Sequence, residues 1–237
     1  MLTTLCVAGY YIHAYFTTPA SIRYKEFGIA IPVNYPIHGI DVSRYQQLID
    51  WEDVKAMNVN NITISFAYVK ATEGINLVDA QYRRNWIEAD EQDIIKGAYH
   101  YFVAGKSGTL QAKNYIGIVD LNKGDLPPVV DVEDTNGADP EKIDQELSEW
   151  LSIVENHYHV KPVIYTYIDF YNRYIREKFS DYPVWIAHYL QPVKPRIEAP
   201  WLFWQHSEKG RVNGIRTPVD FNVFNGDSLD FQNLLIK

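Results

Sequence analysis

The order of the apolar runs constrains this chain more than any other feature. From Ile37 onward, short β-like runs alternate with helix-like runs. His38–Val42 reads as a strand. Asp50 suits the N-cap of a helix over Trp51–Met57, with Glu52 and Asp53 in its first turn. Asn61–Ala71 is rich in β-branched and aromatic residues and predicts a strand. Leu77–Ala89 predicts helix, Ile94–Phe102 strand and Thr109–Val119 helix. Pro127-Pro128 excludes helix and leads into a short strand over Val129–Val132. Pro140–His157 predicts the clearest helix. Pro140 fits a first turn, and Ile143, Leu147, Trp150, Leu151 and Val154 recur at spacings of three or four. Val163–Thr166 predicts strand, then helix near Phe170–Lys178. Val184–His188, Leu202–His206 and Val219–Phe221 predict three closing strands with little helix between them.

This alternation predicts an α/β fold with a parallel sheet, and about eight strands imply closure into a modified TIM-like β/α barrel. A full eightfold barrel takes about 250 residues. Only 201 follow Tyr35-Pro36, so several helices are expected to be missing or short toward the carboxyl end. An open doubly wound sheet is the alternative. No Gly-x-Gly-x-x-Gly or Walker-type loop follows any strand to support it.

Residues 1–36 read as a separate piece. No Lys, Arg, Asp or Glu precedes Arg23, and Leu2–Phe16 is mostly apolar or aromatic. The expectation is a signal- or anchor-like segment, with membrane anchoring through residues 1–22 and a linker up to residue 36. An ordinary hydrophobic helix is the other reading, because no basic stretch precedes the run. Residues 37–237 form the expected barrel. Its charge is −9, against −8 for the whole chain, because residues 1–36 contribute +1. An acidic chain lacks the cationic face a nucleic-acid binder needs, so no nucleic-acid partner is expected. One cysteine excludes an internal disulfide framework, and no His-Glu-x-x-His pattern or Cys-rich zinc spacing exists. Neither metal nor cofactor is expected.

Catalytic groups of such barrels sit at the carboxyl ends of the strands. The polar groups closing the apolar runs are Asp41, then Lys70 and Glu73, His100, and then Asp131, Glu133 and Asp134. Tyr165, Trp185, His188, Gln205, Asp220 and Asn222 follow. In Val129-Val130-Asp131-Val132-Glu133, strand periodicity sends Asp131 and Glu133 to one face. Two close carboxylates cannot both ionise cheaply, so one becomes a proton donor near neutral pH. Such pairs are the usual equipment for cleaving a glycosidic bond. The alternative is a loop cap and a solvated charge. Asp41 and Asp220, on the first and last strands, meet if the barrel closes; each also suits a turn residue bonded to backbone. His100 reads as a hydrogen-bonded core histidine, and His157 and His159 as surface groups. Aromatic residues make up 14% of the chain, and those near strand ends, including Tyr99, Tyr101, Tyr165 and Trp185, divide between core packing and sugar-stacking walls.

Together these segments resemble the family-25 glycoside hydrolases, lysozymes that act as N-acetylmuramidases on bacterial peptidoglycan. The matching runs are His38-Gly39-Ile40-Asp41-Val42-Ser43, Tyr68-Val69-Lys70-Ala71-Thr72-Glu73-Gly74, Gly97-Ala98-Tyr99-His100-Tyr101-Phe102 and Pro128-Val129-Val130-Asp131-Val132-Glu133. Pro162–Thr166, Trp185–Tyr189, Phe203-Trp204-Gln205 and Val219-Asp220-Phe221-Asn222 continue the series in family order, from residue 38 to about 235. The resemblance implies an enzyme that hydrolyses the β-1,4 bond between N-acetylmuramic acid and N-acetylglucosamine. It implies Glu133 as general acid, Asp131 assisting the substrate 2-acetamido group, and Asp41 and Asp220 lining the centre. Lys70, Glu73, Tyr99, Tyr101, Tyr165, Trp185, His188, Gln205 and Asn222 would bind substrate. Peptidoglycan glycan strands are then the expected partner of a monomer in the cell envelope or outside the cell. A chitinase-like glycosidase and a non-catalytic glycan-binding module are the alternatives. The former normally has a longer Asp-x-x-Asp-x-Asp-x-Glu run, and Val129 stands where its nearest preceding Asp would fall.

Overall fold

A computed structural model of the chain describes residues 19–237. The apolar segment expected to act as signal or anchor lies almost wholly outside the described residues. Among those described, no helix is long and apolar enough to cross a membrane.

Eight strands close into a barrel in the order β3 (His38–Val42), β12 (Val219–Phe224), β11 (Phe203–Gly210), β10 (Val184–Ala187), β9 (Val163–Tyr167), β8 (Val129–Asp131), β7 (Ile95–Tyr101) and β5 (Ile62–Glu73). The β3–β5 pairing completes the ring. Two short strands, β4 (Asn58–Val59) and β6 (Leu77–Val78), pair only with β5. The sheet is not wholly parallel, as strict alternation would require: β12 runs antiparallel to both β11 and β3. The cause is length. Parallel strands need a crossover of a dozen or more residues, whereas the short run from Gly210 to Val219 permits only a hairpin.

The helices are α1 (Trp51–Ala56), α2 (Tyr82–Glu91), α3 (Gly108–Ile116), α4 (Pro140–Tyr158), α5 (Ile168–Phe170, continuing as a π-helical turn through Ile175) and α6 (Ser228–Leu234). Asp50, Ser107 and Asp139 cap α1, α3 and α4 by accepting hydrogen bonds from backbone N–H groups of the first turn. No helix separates β10 from β11 or β11 from β12, as the shortage of residues anticipated. The helix expected from Leu77 begins at Tyr82 instead, because residues 77 and 78 pair with Thr72 and Glu73.

Strand periodicity sorts the core into two layers. Phe66, Tyr68, Val129, Tyr165, Trp185 and Phe203 fill the barrel, and Phe231 of α6 plugs one end against Phe66 and Phe224. Ala67, Val69, Val130, Ile164, Ile186 and Trp204 alternate with them and face the outer layer. Much of the aromatic excess is therefore barrel filling. Close packing also explains Gly97: a Cβ there would lie 2.3 Å from the Tyr68 ring.

Residues 19–36 are not a linker. Ser21–Arg23 (β1) and Ala30–Pro32 (β2) form an antiparallel hairpin. Phe27, Ile29 and Ile31 are buried in the outer core, and the Phe27 ring meets Phe221 at 5.2 Å. Three apolar side chains at alternate positions gain more by covering β12 than by remaining in solvent. The folded unit thus starts well before Ile37.

Candidate active site

The side chains that point into the barrel at its carboxyl end surround a cleft of about 350 Å³. Asp41, Lys70, Tyr99, Tyr101, Asp131, Glu133, Tyr165, Trp185, Gln205 and Asp220 all line it. Each continues the inward parity of its strand. Gly39 precedes Asp41, Tyr68 precedes Lys70, Val129 precedes Asp131, and Phe203 precedes Gln205. Val132, between the paired acids, is buried in the outer layer, so Asp131 and Glu133 share one face.

A continuous hydrogen-bond chain fixes Asp41. Gln205 Nε2 donates to Asp41 Oδ2 at 3.0 Å, and Asn222 Nδ2 donates to the same oxygen at 2.8 Å. Trp185 Nε1 donates to Asn222 Oδ1 at 2.9 Å. The Tyr165 and Tyr189 hydroxyls donate to Gln205 Oε1 at 3.0 and 2.6 Å. Two phenols on the amide oxygen leave only the amide nitrogen to face Asp41. Across the β3–β12 ladder, Asp220 is paired with Asp41.

Electrostatics set these acids apart from surface carboxylates. Burial raises the Asp41 carboxyl above its ordinary range, against the lowering effect of hydrogen bonds from Asn222 and Gln205. Burial, then the neighbouring Asp41, pushes Asp220 up to about 9. Burial and then Glu133 hold Asp131 well above the ordinary range. Glu133 is raised by burial and then by Asp41, while Lys70 opposes the rise. Asp131 is 8% exposed, and its Oδ1 has no partner among the described residues. A buried acceptor without a donor is costly, and one facing a cleft awaits a donor from a ligand.

Three of the expected substrate contacts lie elsewhere. Glu73 is not part of the cleft lining; it pairs with Lys70 Nζ at 2.7 Å, and that ammonium lies 4.6 Å from the Tyr101 ring. Asn222 is fully buried beneath Asp41. His188 turns away: its Nδ1 accepts the Arg196 backbone N–H at 3.1 Å. On β10, Trp185 and Ala187 face inward and Ile186 outward, so position 188 falls on the outer side. Tyr189, four residues after Trp185, faces the cleft in its place. That parity was present in the sequence.

Ser43, Tyr45, Gln46 and Glu208 also line the cleft. Glu208 escaped sequence reasoning because the β11–β12 register shifts between Gln205 and Gly210, which reverses the parity. His100 is a core residue, its Nδ1 2.7 Å from the Thr72 hydroxyl and its ring stacked on Trp150. His157 and His159 are exposed. Among the described residues, no group of three or more His, Cys, Asp or Glu could hold a metal ion.

The model of glycosyl hydrolases family 25 matches residues 40–215. The chain belongs to that family. Family 25 membership makes it a glycoside hydrolase, and it agrees with the barrel and with the acids gathered in its mouth. The chain is 44% identical to the protein YegX of Escherichia coli K12, over 94% of this chain and 80% of that protein. It is 34% identical to Lysozyme M1 of Streptomyces globisporus, over 81% of this chain and 69% of that protein. Among solved structures, a family 25 glycosyl hydrolase from Bacillus anthracis superposes with a TM-score of 0.79 at 32% identity, covering 90% of this chain and 98% of the other. A bacterial lysozyme from Streptomyces coelicolor gives 0.75 at 31% identity, covering 84% and 96%.

Proposed function

We propose that this chain is a peptidoglycan lysozyme that cleaves the β-1,4 bond between N-acetylmuramic acid and N-acetylglucosamine. The observation that carries this reading is the pairing of Asp131 and Glu133 on one face of the cleft, both raised above the ordinary carboxylate range. In this reading Glu133, its carboxyl raised above the ordinary range by burial and by Asp41, delivers its proton to the glycosidic oxygen as the bond breaks. Asp131 offers its unpartnered Oδ1 to the N–H of the substrate 2-acetamido group, so that the acetamido oxygen is aimed at the anomeric carbon. Substrate-assisted routes of this kind are a recognised departure from the two-carboxylate scheme. Asp41 holds negative charge beside the developing oxocarbenium ion, kept in place by the Gln205–Asn222 clamp, while Asp220, pushed up to about 9, stays protonated beside it near neutral pH. Tyr99, Tyr101 and Tyr189 form the walls against which sugar faces lie.

The enzyme works in this reading as a monomer in the cell envelope or outside the cell, the site of its substrate, with residues 1–22 directing export or anchoring. The test is clearing of a peptidoglycan suspension together with mass spectrometry of the products. Wild type should clear the suspension and release fragments with N-acetylmuramic acid at the new reducing end. Glu133→Gln should lose at least about 10²-fold in rate, the usual scale for a general acid. Equal clearing by that variant, or N-acetylglucosamine at the new reducing end, would overturn the assignment.

A further inference from the structure

A second cavity of about 730 Å³, roughly twice the size of the catalytic cleft, opens on the flank of the barrel. The two share one lining residue, Gln46. Ser43, Tyr45 and Gln46 face the cleft, whereas residues 46–53 face the second cavity, so a single turn of chain is the partition. Gln47 makes that division by adopting φ 58° and ψ −129°, a conformation that favours glycine. Its consequence is that Leu48 projects into the second cavity with 59% of its surface exposed. The volume lies within the roughly 300–1,000 Å³ of small-ligand sites.

The lining chemistry does not suit a neutral glycan. Its one aromatic ring, Trp51, is buried, and its indole N–H is already bonded to Asn85. The cavity instead carries both charge signs. Acids predominate: Asp50, Glu52 and Asp53 stand at the start of α1 and Glu88 and Glu91 on α2, against Arg84 on α2 and Arg216 on the loop between β11 and β12. Arg84 is paired with Glu88 at 2.7 Å, but Arg216 and Glu91 are exposed and enter no ion pair among the described residues. Such a wall matches a ligand with carboxylates and an amine held several bonds apart, together with an apolar segment for Leu48.

We infer that this flank cavity binds the short peptide borne by the muramyl residue of peptidoglycan, when that peptide holds both free carboxylates and a free amine. The inference rests on the lysozyme reading, which puts the muramyl sugar in the adjoining cleft, and on Gln46, which lines both the cleft and the flank cavity. Arg216 takes a peptide carboxylate, Glu91 takes the amine, and Leu48 packs on the alanyl methyl groups. Peptide binding then adds to the affinity for substrate without touching the reacting bond, which is uniform binding and appears in KM rather than kcat.

The test compares peptide-bearing glycan oligomers with the same oligomers stripped of peptide by an amidase. It uses wild type, Arg216→Ala and Glu91→Gln. Wild type should show a KM about tenfold lower on the peptide-bearing oligomers, the worth of one or two charge-assisted contacts. Each variant should remove most of that difference while leaving kinetics on stripped glycan unchanged. A wild-type KM that ignores the peptide, or variants that leave the ratio intact, would overturn the inference and place only glycan in contact with the enzyme. Calorimetry with the free peptide, carrying a diamino acid and open carboxylates, decides the matter even if no glycan is cleaved. Binding weakened by Arg216→Ala supports the site, and no binding by wild type overturns it. Failure to cleave either oligomer would count against the lysozyme reading alone.

Discussion

Asp41 and Asp220 stand at directly opposed positions of the antiparallel β3–β12 ladder. Their carboxyl groups therefore share the inner face of the barrel at the distance of a cross-strand pair. Like charges so placed repel, and burial sharpens the repulsion. Asn222 and Gln205 keep Asp41 supplied with donors, and Asp220 is the member pushed up to about 9.

The pair costs the fold stability at neutral pH. A carboxyl whose folded pKa lies above its unfolded value contributes stability that is fully present below the unfolded pKa and is lost as pH rises through the folded one. For Asp220 that window runs from the ordinary 3.8 to about 9, so pH 7 falls inside it. Asp220→Asn should raise unfolding free energy at pH 7 by about 1–3 kcal/mol, the usual scale of single-site effects, and should flatten its decline above neutrality. The same variant should lower lysozyme activity. Urea unfolding at pH 5, 7 and 9 measures the first effect, and a variant less stable than wild type at pH 7 would refute it.

Acid should act in the opposite sense through buried histidines. Burial lowers His38 to about 4 and His100 and His206 to about 3, from an ordinary 6.5. The unfolded chain takes up protons that these rings refuse, so their contribution to stability falls as pH drops from 6.5 toward 3–4. Each loses roughly 2 kcal/mol between pH 7 and 5. His206 rests against Trp204 and Phe221, so His206→Phe keeps the packing. It should reduce by about one the protons taken up on unfolding between pH 6 and 4. An unchanged slope of stability against pH would show that His206 does not carry this effect.

Lys70 sets the working range of the acid pair. Its ammonium lowers Glu133 and Asp131 against the rise that burial causes. Lys70→Met removes that opposition. Glu133 should then hold its proton to higher pH, and the alkaline limb of kcat/KM should move up by on the order of one pH unit. A limb that stays in place, or moves down, would exclude Lys70 as the governing charge.

The amino-terminal hairpin is an outer patch of the core. Phe27 is fully buried against Phe221, whose neighbour Asp220 lines the cleft. Phe27→Ala should destabilise the protein by about 3–5 kcal/mol, as for other buried aromatic truncations. A denaturation midpoint within error of wild type would mean that residues 19–36 are dispensable to the fold.

Much of the site was legible because strand periodicity is local. Alternation alone sends Asp131 and Glu133 to one face, and Asp220 and Asn222 to another shared face. It also turns His188 outward, a consequence of strand parity in Trp185–Tyr189 that proximity to a strand end does not reveal. Glu208 was not legible, because a register shift reverses parity and depends on the partner strand. The packing of residues 19–36 was not legible, because short alternating apolar runs look alike whether they cover a core or tether it.

By itself, then, the sequence determined the alternation of elements, the inward-facing acids and the shortage of crossover helices that leaves the last strands uncovered. These follow from chain-local geometry. Tertiary structure alone decided the pairing of β12 with β3, the Gln205–Asp41–Asn222 clamp, the burial that raises Asp220, and the second cavity behind Gln46. Each depends on residues distant along the chain, and only closure of the barrel brings them within hydrogen-bonding distance or removes water from between them.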